Sequence, residues 1–211
     1  MLVVGLTGGI ASGKSTVSNM FRDAGIAVIC SDDLAHEVVK PGSPALEDIR
    51  ETFGEDFIDD NGNLDRAAMA ELVFRDEHRR RVLESIIHPR IEEERARIIE
   101  ELARQGRDIV VVDVPLLYES GLERLFNKII VVYVPPRIQM ERLTARDRMS
   151  LEEARSRLDS QMPIEDKKGR ADWVIDNTGS QEQTREQVLT IIEELESIAR
   201  SHDVCQSKKP L

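Results

Sequence analysis

Apolar residues gather in five short runs, at 2–6, 26–29, 109–113, 129–134 and 173–176. Ile109-Val110-Val111-Val112 and Ile129-Ile130-Val131-Val132 are continuously apolar, the pattern of strands covered on both faces. Between the runs the apolar spacing changes to three and four, as in Val17, Met20 and Phe21, or Val188, Ile191, Ile192, Leu195 and Ile198. That spacing lines up one face of a helix. Strands alternating with helices predict an α/β protein built on a parallel, doubly wound five-stranded sheet flanked by helices. Ligands of such sheets sit beyond the carboxyl ends of the strands, so those ends carry the candidate chemistry.

One stretch breaks the alternation. Residues 43–105 hold no convincing strand and read as a helical insertion between the second and third strands. Ser43-Pro44 opens a helix that Phe53-Gly54 closes, and Asp59-Asp60-Asn61-Gly62-Asn63 is a turn. Leu64-Asp65-Arg66 leads into Met69, Leu72, Val73 and Phe74. A further helix with Val82, Leu83, Ile86 and Ile87 is expected to stop at His88-Pro89, and Pro89 to begin a new one through Ile91, Ile98, Ile99 and Leu102. The expected organisation is one domain over 1–200, with a sheet-bearing core of about 1–42, 106–136 and 171–200. A helical lobe takes about 43–105, where insertions in such sheets usually hold a second ligand, and a lid about 137–170. From Ser201 to Leu211 the periodicity is lost, and a frayed tail is expected.

The strongest chemical signal follows the first strand. Gly8-Gly9-Ile10-Ala11-Ser12-Gly13-Lys14-Ser15-Thr16 has the spacing G-x-x-x-x-G-K-S of the phosphate-binding P-loop, between a strand pattern and a helix pattern. Glycines let successive backbone N–H groups turn around a phosphate, and the following helix aims its positive end at the same charge. Lys14, expected to be solvent-facing, can bridge the β- and γ-phosphates, and the Ser15 hydroxyl can ligate Mg²⁺. The dinucleotide fingerprint G-x-G-x-x-G is absent. So is the Asn-Lys-x-Asp box of guanine-specific switches, since Asn127-Lys128 is followed by Ile129-Ile130. The third strand ends in Asp113, which matches the second nucleotide motif, whose Asp holds the Mg²⁺ shell, often through water.

Composition narrows the partners. A net charge of −11 over 211 residues argues against general binding to nucleic acid or an anionic membrane. An anionic ligand therefore has to meet a local basic cluster. One exists at 137–148, where four arginines face two acids, and Arg142 and Arg146 fall on one helix face. Either Glu141 and Asp147 neutralise this patch, or it meets phosphates as part of the lid. Cys30 and Cys205, the only cysteines, do not make a metal site or a disulfide framework. No signal peptide precedes the first strand and no apolar run is long enough for a bilayer, which reads as a soluble, cytoplasmic protein. No obligate protein partner is evident.

Two acidic strand ends remain open between readings. Ser31 or Asp32 caps the helix after the second strand, or Asp32 takes the proton of an acceptor hydroxyl. Asp176-Asn177-Thr178-Gly179, after the fifth strand, is an ordinary turn or the contact to a purine base.

Over residues 2 to about 198 the sequence resembles the dephospho-coenzyme A kinase family. The resemblance rests on Leu6 to Thr16, Asp32, Leu64-Asp65-Arg66, His88-Pro89-Arg90-Ile91, Val114-Pro115-Leu116-Leu117-Tyr118-Glu119, Arg142-Leu143 with Arg146-Asp147, and Val174-Ile175-Asp176-Asn177. The P-loop is shared by many families, while the His-Pro, Pro-Leu-Leu and Ile-Asp-Asn elements in this order are far more specific. The resemblance implies ATP and dephospho-CoA as partners, Mg²⁺ as cofactor, and transfer of the γ-phosphoryl group to the ribose 3′-hydroxyl. Asp32 is then the base and Lys14 and Arg146 stabilise the transferring group. ATP is held by Gly9, Ala11, Ser12, Gly13, Lys14, Ser15, Thr16, Arg142 and Asn177. Acceptor contacts fall to Asp32, Arg66, His88 and Leu116, and the metal to Ser15 and Asp113. The alternative is another small-molecule or nucleotide P-loop kinase. Two positions depart from the family pattern. Ala11 stands where Gly is usual, which is harmless if φ there is negative, and Cys30 stands where an acid is common.

Overall fold

The computed structural model describes residues 1–147 and 149–206, and of 146, 147 and 202–206 the backbone alone. The predicted alternation is present. In chain order it runs β1 (Leu2–Gly8), α1 (Lys14–Asp23), β2 (Ala27–Cys30), α2 (Ser31–Glu37), α3 (Pro44–Phe53), α4 (Arg66–Arg75) and α5 (Glu77–Arg104). It continues with β3 (Ile109–Asp113), β4 (Lys128–Tyr133), α6 (Pro136–Asp147), α7 (Leu151–Asp159), α8 (Ile164–Arg170), β5 (Trp173–Asp176) and α9 (Gln181–Gln206).

The five strands form one sheet in the order β2-β3-β1-β4-β5. β1 pairs in parallel with both β3 and β4, with Leu6 opposite Asp113 and Ile130. The chain goes to one side of β1 for β2 and β3, then to the other for β4 and β5. The strand order therefore reverses at β1, and the carboxyl end of that strand is the place where such sheets hold their ligands. Val110 to Val112 and Ile130 to Val132 are fully buried because helices cover both faces of the sheet. On one face, Val17, Met20 and Phe21 of α1 and Val188, Ile191, Ile192 and Leu195 of α9 share a core with Leu2, Val4 and Leu6.

The chain divides into two compact units, one of 1–29 with 102–211 and one of 30–101. The first holds the sheet together with α6, α7 and α8. The second is helical and has its own core, in which Val39, Ala45, Ile49 and Met69 are buried against Phe53, Phe57, Leu72, Leu83, Ile86 and Ile87. Its local signals read as expected. Ser43 Oγ caps α3 by accepting from Leu46 N–H and Gly54 ends it at φ 101°; beyond those expectations, Asp65 caps α4 by accepting from the N–H groups of Ala67 and Ala68. Asp59 Oδ1 accepts from the N–H groups of Asn61 and Asn63 to close the turn.

Three expectations need correction. Helix α5 does not stop at His88, but runs unbroken from Glu77 to Arg104 with Pro89 inside it. A proline removes one helical N–H and crowds the preceding turn; here Leu83, Ile86 and Ile87, just before it, are anchored in the helical core. Neither Ser31 nor Asp32 caps α2. The N-cap is Cys30, which makes no side-chain cap, and Asp32 and Asp33 lie in the first turn, where their charge suits the helix dipole. Helix α9 continues to Gln206 rather than ending near 200, since no Gly or Pro interrupts 201–206 and each further residue adds one backbone bond. Among the described residues no helix is long and apolar enough to cross a membrane.

Candidate active site

The loop between β1 and α1 surrounds a cavity of about 210 Å³ lined by Gly8 to Ser15, Pro115 and Gln161. Helix α1 starts at Lys14 with Gly13 as its N-cap, with no side-chain cap and no acid in its first turn. Such a helix end attracts an anion through its unpaired N–H groups and its dipole. Gly13 is required twice over. Its φ is +89°, and an added Cβ would collide with Asn177 Nδ2.

A loop whose carbonyls are bonded elsewhere is freer to offer its N–H groups to an anion, and here the carbonyls of Gly8, Ile10, Ala11 and Ser12 accept from side chains. Lys167 Nζ donates to Gly8 O at 3.3 Å, and Gln139 Nε2 to Ile10 O at 2.7 Å. Arg142 Nη1 reaches Ala11 O at 3.4 Å and Ser12 O at 3.3 Å, and Asn177 Nδ2 donates to Ser12 O at 2.8 Å. Gln161 Oε1 accepts the Ile10 N–H at 2.9 Å. The donors come from α6, α8 and the residue after β5, and the one acceptor from the α7–α8 connection, so the loop is braced by the segments that flank it in the fold rather than in sequence. Arg142 Nη2 also donates to Asn177 O at 2.9 Å, and Asn177 Oδ1 accepts from Thr184 Oγ1 at 2.9 Å. Both ends of the Asn177 amide are thus engaged within the protein.

Lys14 Nζ and Asp113 Oδ1 form an ion pair, with side chains 16% and 6% exposed. Lys14 is therefore not solvent-facing as the sequence led us to expect. The parallel pairing of β1 with β3 brings the two together, because Lys14 follows β1 and Asp113 ends β3. Ser15 and Thr16 are exposed in the first turn of α1, and Leu116 is 42% exposed beside the buried Leu117. Ala11 has φ +59°, so the condition under which alanine is harmless there is not met. Its position is the left-handed region that glycine occupies freely.

The arginine patch divides between its two readings. Arg137 is neutralised by Glu141 at 2.5 Å, whereas Arg142 is committed to the loop carbonyls. Arg146 lies in the last turn of α6, and its side chain and the whole of Arg148 are outside the described residues. In the helical unit Asp32, Arg66 and His88 are all exposed, in α2, α4 and α5. Sequence reasoning missed Gln139, Gln161, Lys167, Glu119 and Thr184. All but the Thr184–Asn177 contact bridge segments far apart in the chain, where no local spacing announces them.

Comparison with known proteins decides what this loop serves. The family profile described as dephospho-CoA kinase matches residues 2–183. The chain belongs to the dephospho-CoA kinase family. The dephospho-CoA kinase of Bacillus licheniformis is 46% identical over 199 residues, 94% of this chain and 99% of that one. Among solved structures, a dephospho-CoA kinase from Campylobacter jejuni matches at TM-score 0.72 and 31% identity, over 95% of this chain and 98% of that one. The Thermus thermophilus protein TT1252 matches at 0.78 and 36%, over 92% and 96%. The chain is accordingly a kinase that phosphorylates the 3′-hydroxyl of dephospho-CoA with ATP to give CoA, and the alternative of a different small-molecule kinase is set aside.

Proposed function

We propose that this kinase, a cytoplasmic enzyme, transfers the γ-phosphoryl group of ATP directly, in line, to dephospho-CoA at the braced loop after β1. The observation that carries this is the loop itself: a cavity lined by Gly8 to Ser15 at the start of α1, with the Gly8, Ile10, Ala11 and Ser12 carbonyls held by side chains and Lys14 on its wall. Gly9, Ala11, Ser12, Gly13, Ser15 and Thr16 supply the cradle. Lys14 exchanges its carboxylate partner for phosphate and follows negative charge toward the β–γ bridge. Arg142 and Asn177 serve the nucleotide from behind, by fixing Ala11 and Ser12, and Arg146 meets the transferring group. The exposed Ser15 hydroxyl and the Asp113 carboxylate suit Mg²⁺, which takes few protein oxygens and completes its shell with water and phosphate. When bound, the ion neutralises charge on the β- and γ-phosphates.

Asp32 follows the end of β2 by two residues, carries no capping duty and is exposed, which supports its use as the base that accepts the ribose hydroxyl proton. Arg66 and His88 are proposed for the acceptor's phosphates and Leu116 for its apolar arm. Two measurements test this reading. An acceptor panel with coupled ADP detection is expected to show rapid turnover with dephospho-CoA and slow turnover with AMP, CMP, dTMP, shikimate or gluconate. Mass spectrometry should find the new phosphate on the 3′-oxygen. Asp32→Asn should lower kcat by about 10²–10⁴ with little change in ATP binding. Normal turnover in that variant would transfer the role to another acid.

A further inference from the structure

Lys167 has no part in the mechanism above, yet no residue of its kind in the described chain is more deeply placed. It is fully buried in α8. Its Nζ lies 2.7 Å from Glu119 Oε1, 3.3 Å from Gly8 O and 3.4 Å from Pro115 O. The Glu119 side chain is itself only 20% exposed. A buried ion pair costs both partners their hydration and is often no more stabilising than an apolar pair of the same shape. Stability is therefore a poor reason for an ammonium at this point, and its position offers a better one.

Each oxygen around Lys167 belongs to a segment that shapes the nucleotide site. Gly8 ends β1 and opens the phosphate loop. Pro115 follows Asp113 by two residues, and Thr7 Oγ1 also donates to its carbonyl at 3.1 Å. Glu119 Oε1 accepts, besides the lysine, the Met162 N–H at 3.0 Å. Met162 adjoins Gln161, whose side chain takes the Ile10 N–H. We infer that Lys167 is a positioning residue, a built-in cation that ties the start of the phosphate loop, the segment after β3 and the α7–α8 connection to one point. It touches no substrate. It acts by holding the Gly8 carbonyl outward, so that the peptide groups after it present their N–H groups to phosphate, and by fixing the rim against which Gln161 closes. The inference rests on the loop being the ATP site.

Lys167→Met keeps most of the side chain's volume and removes its charge. With turnover of the parent established first, kcat should fall about tenfold or more and the KM for ATP should rise, because small misplacements of a catalytic loop are costly. The KM for dephospho-CoA should stay within about twofold. The melting temperature should fall as well, since the substitution leaves Glu119 without its counter-charge and the Gly8 carbonyl without its donor. A merely structural lysine lowers the melting temperature but leaves kcat and the ATP KM of the folded enzyme unchanged, and that result overturns the inference. If Lys167→Met does not fold, Glu119→Gln decides, since it preserves the shape and the acceptor for Met162 while removing the counter-charge. It should shift kcat and the ATP KM in the same directions, and parental values in both would overturn the inference equally. A parent that turns over no dephospho-CoA would instead count against the assigned reaction.

Discussion

At the scale of single residues, Lys14 has two partners to serve. Its ammonium neutralises the largely buried Asp113 in the structure and phosphate in the proposed reaction. Removing it alone strands a carboxylate away from water. Lys14→Ala is therefore expected to abolish most turnover and also to lose about 1–3 kcal/mol of stability. Adding Asp113→Asn should restore much of the stability and none of the turnover, as denaturant melts and steady-state rates will tell. Identical melts for parent and Lys14→Ala would mean that the pair contributes nothing to folding. Ala11 offers the reverse case. At φ +59° an alanine bears roughly 1–2 kcal/mol of strain, while glycine there adds about 0.4–1 kcal/mol of unfolded-chain entropy. Ala11→Gly should thus be slightly stabilising, and Ala11→Val clearly destabilising, when melted side by side. A loss of stability in Ala11→Gly would contradict the left-handed backbone at this position.

At the scale of elements, α5 is the place where local chemistry and fold disagree. Pro89 sits in the interior of a 28-residue helix. An interior proline costs a helix about 3 kcal/mol relative to alanine, less the roughly 0.4–1 kcal/mol it removes from the entropy of the unfolded chain. Pro89→Ala should accordingly stabilise the protein by about 1–3 kcal/mol. If His88 and the turn around it shape the acceptor site, the same variant should raise the KM for dephospho-CoA and leave that for ATP alone. A destabilised Pro89→Ala would show that the helix is bent there to good effect. The elements behind the phosphate loop follow another logic. Helices α6 and α8 supply Gln139, Arg142 and Lys167, whose polar ends satisfy loop carbonyls. These helices are held to the site by hydrogen bonds to irregular backbone, which requires such partners wherever it is buried.

At the scale of the whole molecule, nucleotide and fold should stabilise each other. A ligand that binds only the folded state adds about 2.7 kcal/mol at a hundred times its Kd, so Mg-ATP should raise the melting temperature by several degrees. Most of that increase should vanish in Lys14→Ala, and a full increase in that variant would place the nucleotide elsewhere. The strand runs, the helical insertion, the P-loop and the opening of α3 at Ser43-Pro44 were determined by sequence alone, because each depends on residues a few positions apart. Periodicity, capping and turn chemistry are local physics and survive without the fold. Tertiary structure decided the rest. It set the strand order that puts Lys14 against Asp113, 99 residues away, and it carried α5 through Pro89, since core packing outweighs one missing hydrogen bond. It left Ala11 in a left-handed turn that its neighbours impose. It also brought Gln139, Gln161 and Lys167 around the loop between Gly8 and Ser12, for a carbonyl's partner is chosen by proximity in space, which spacing along the chain does not encode.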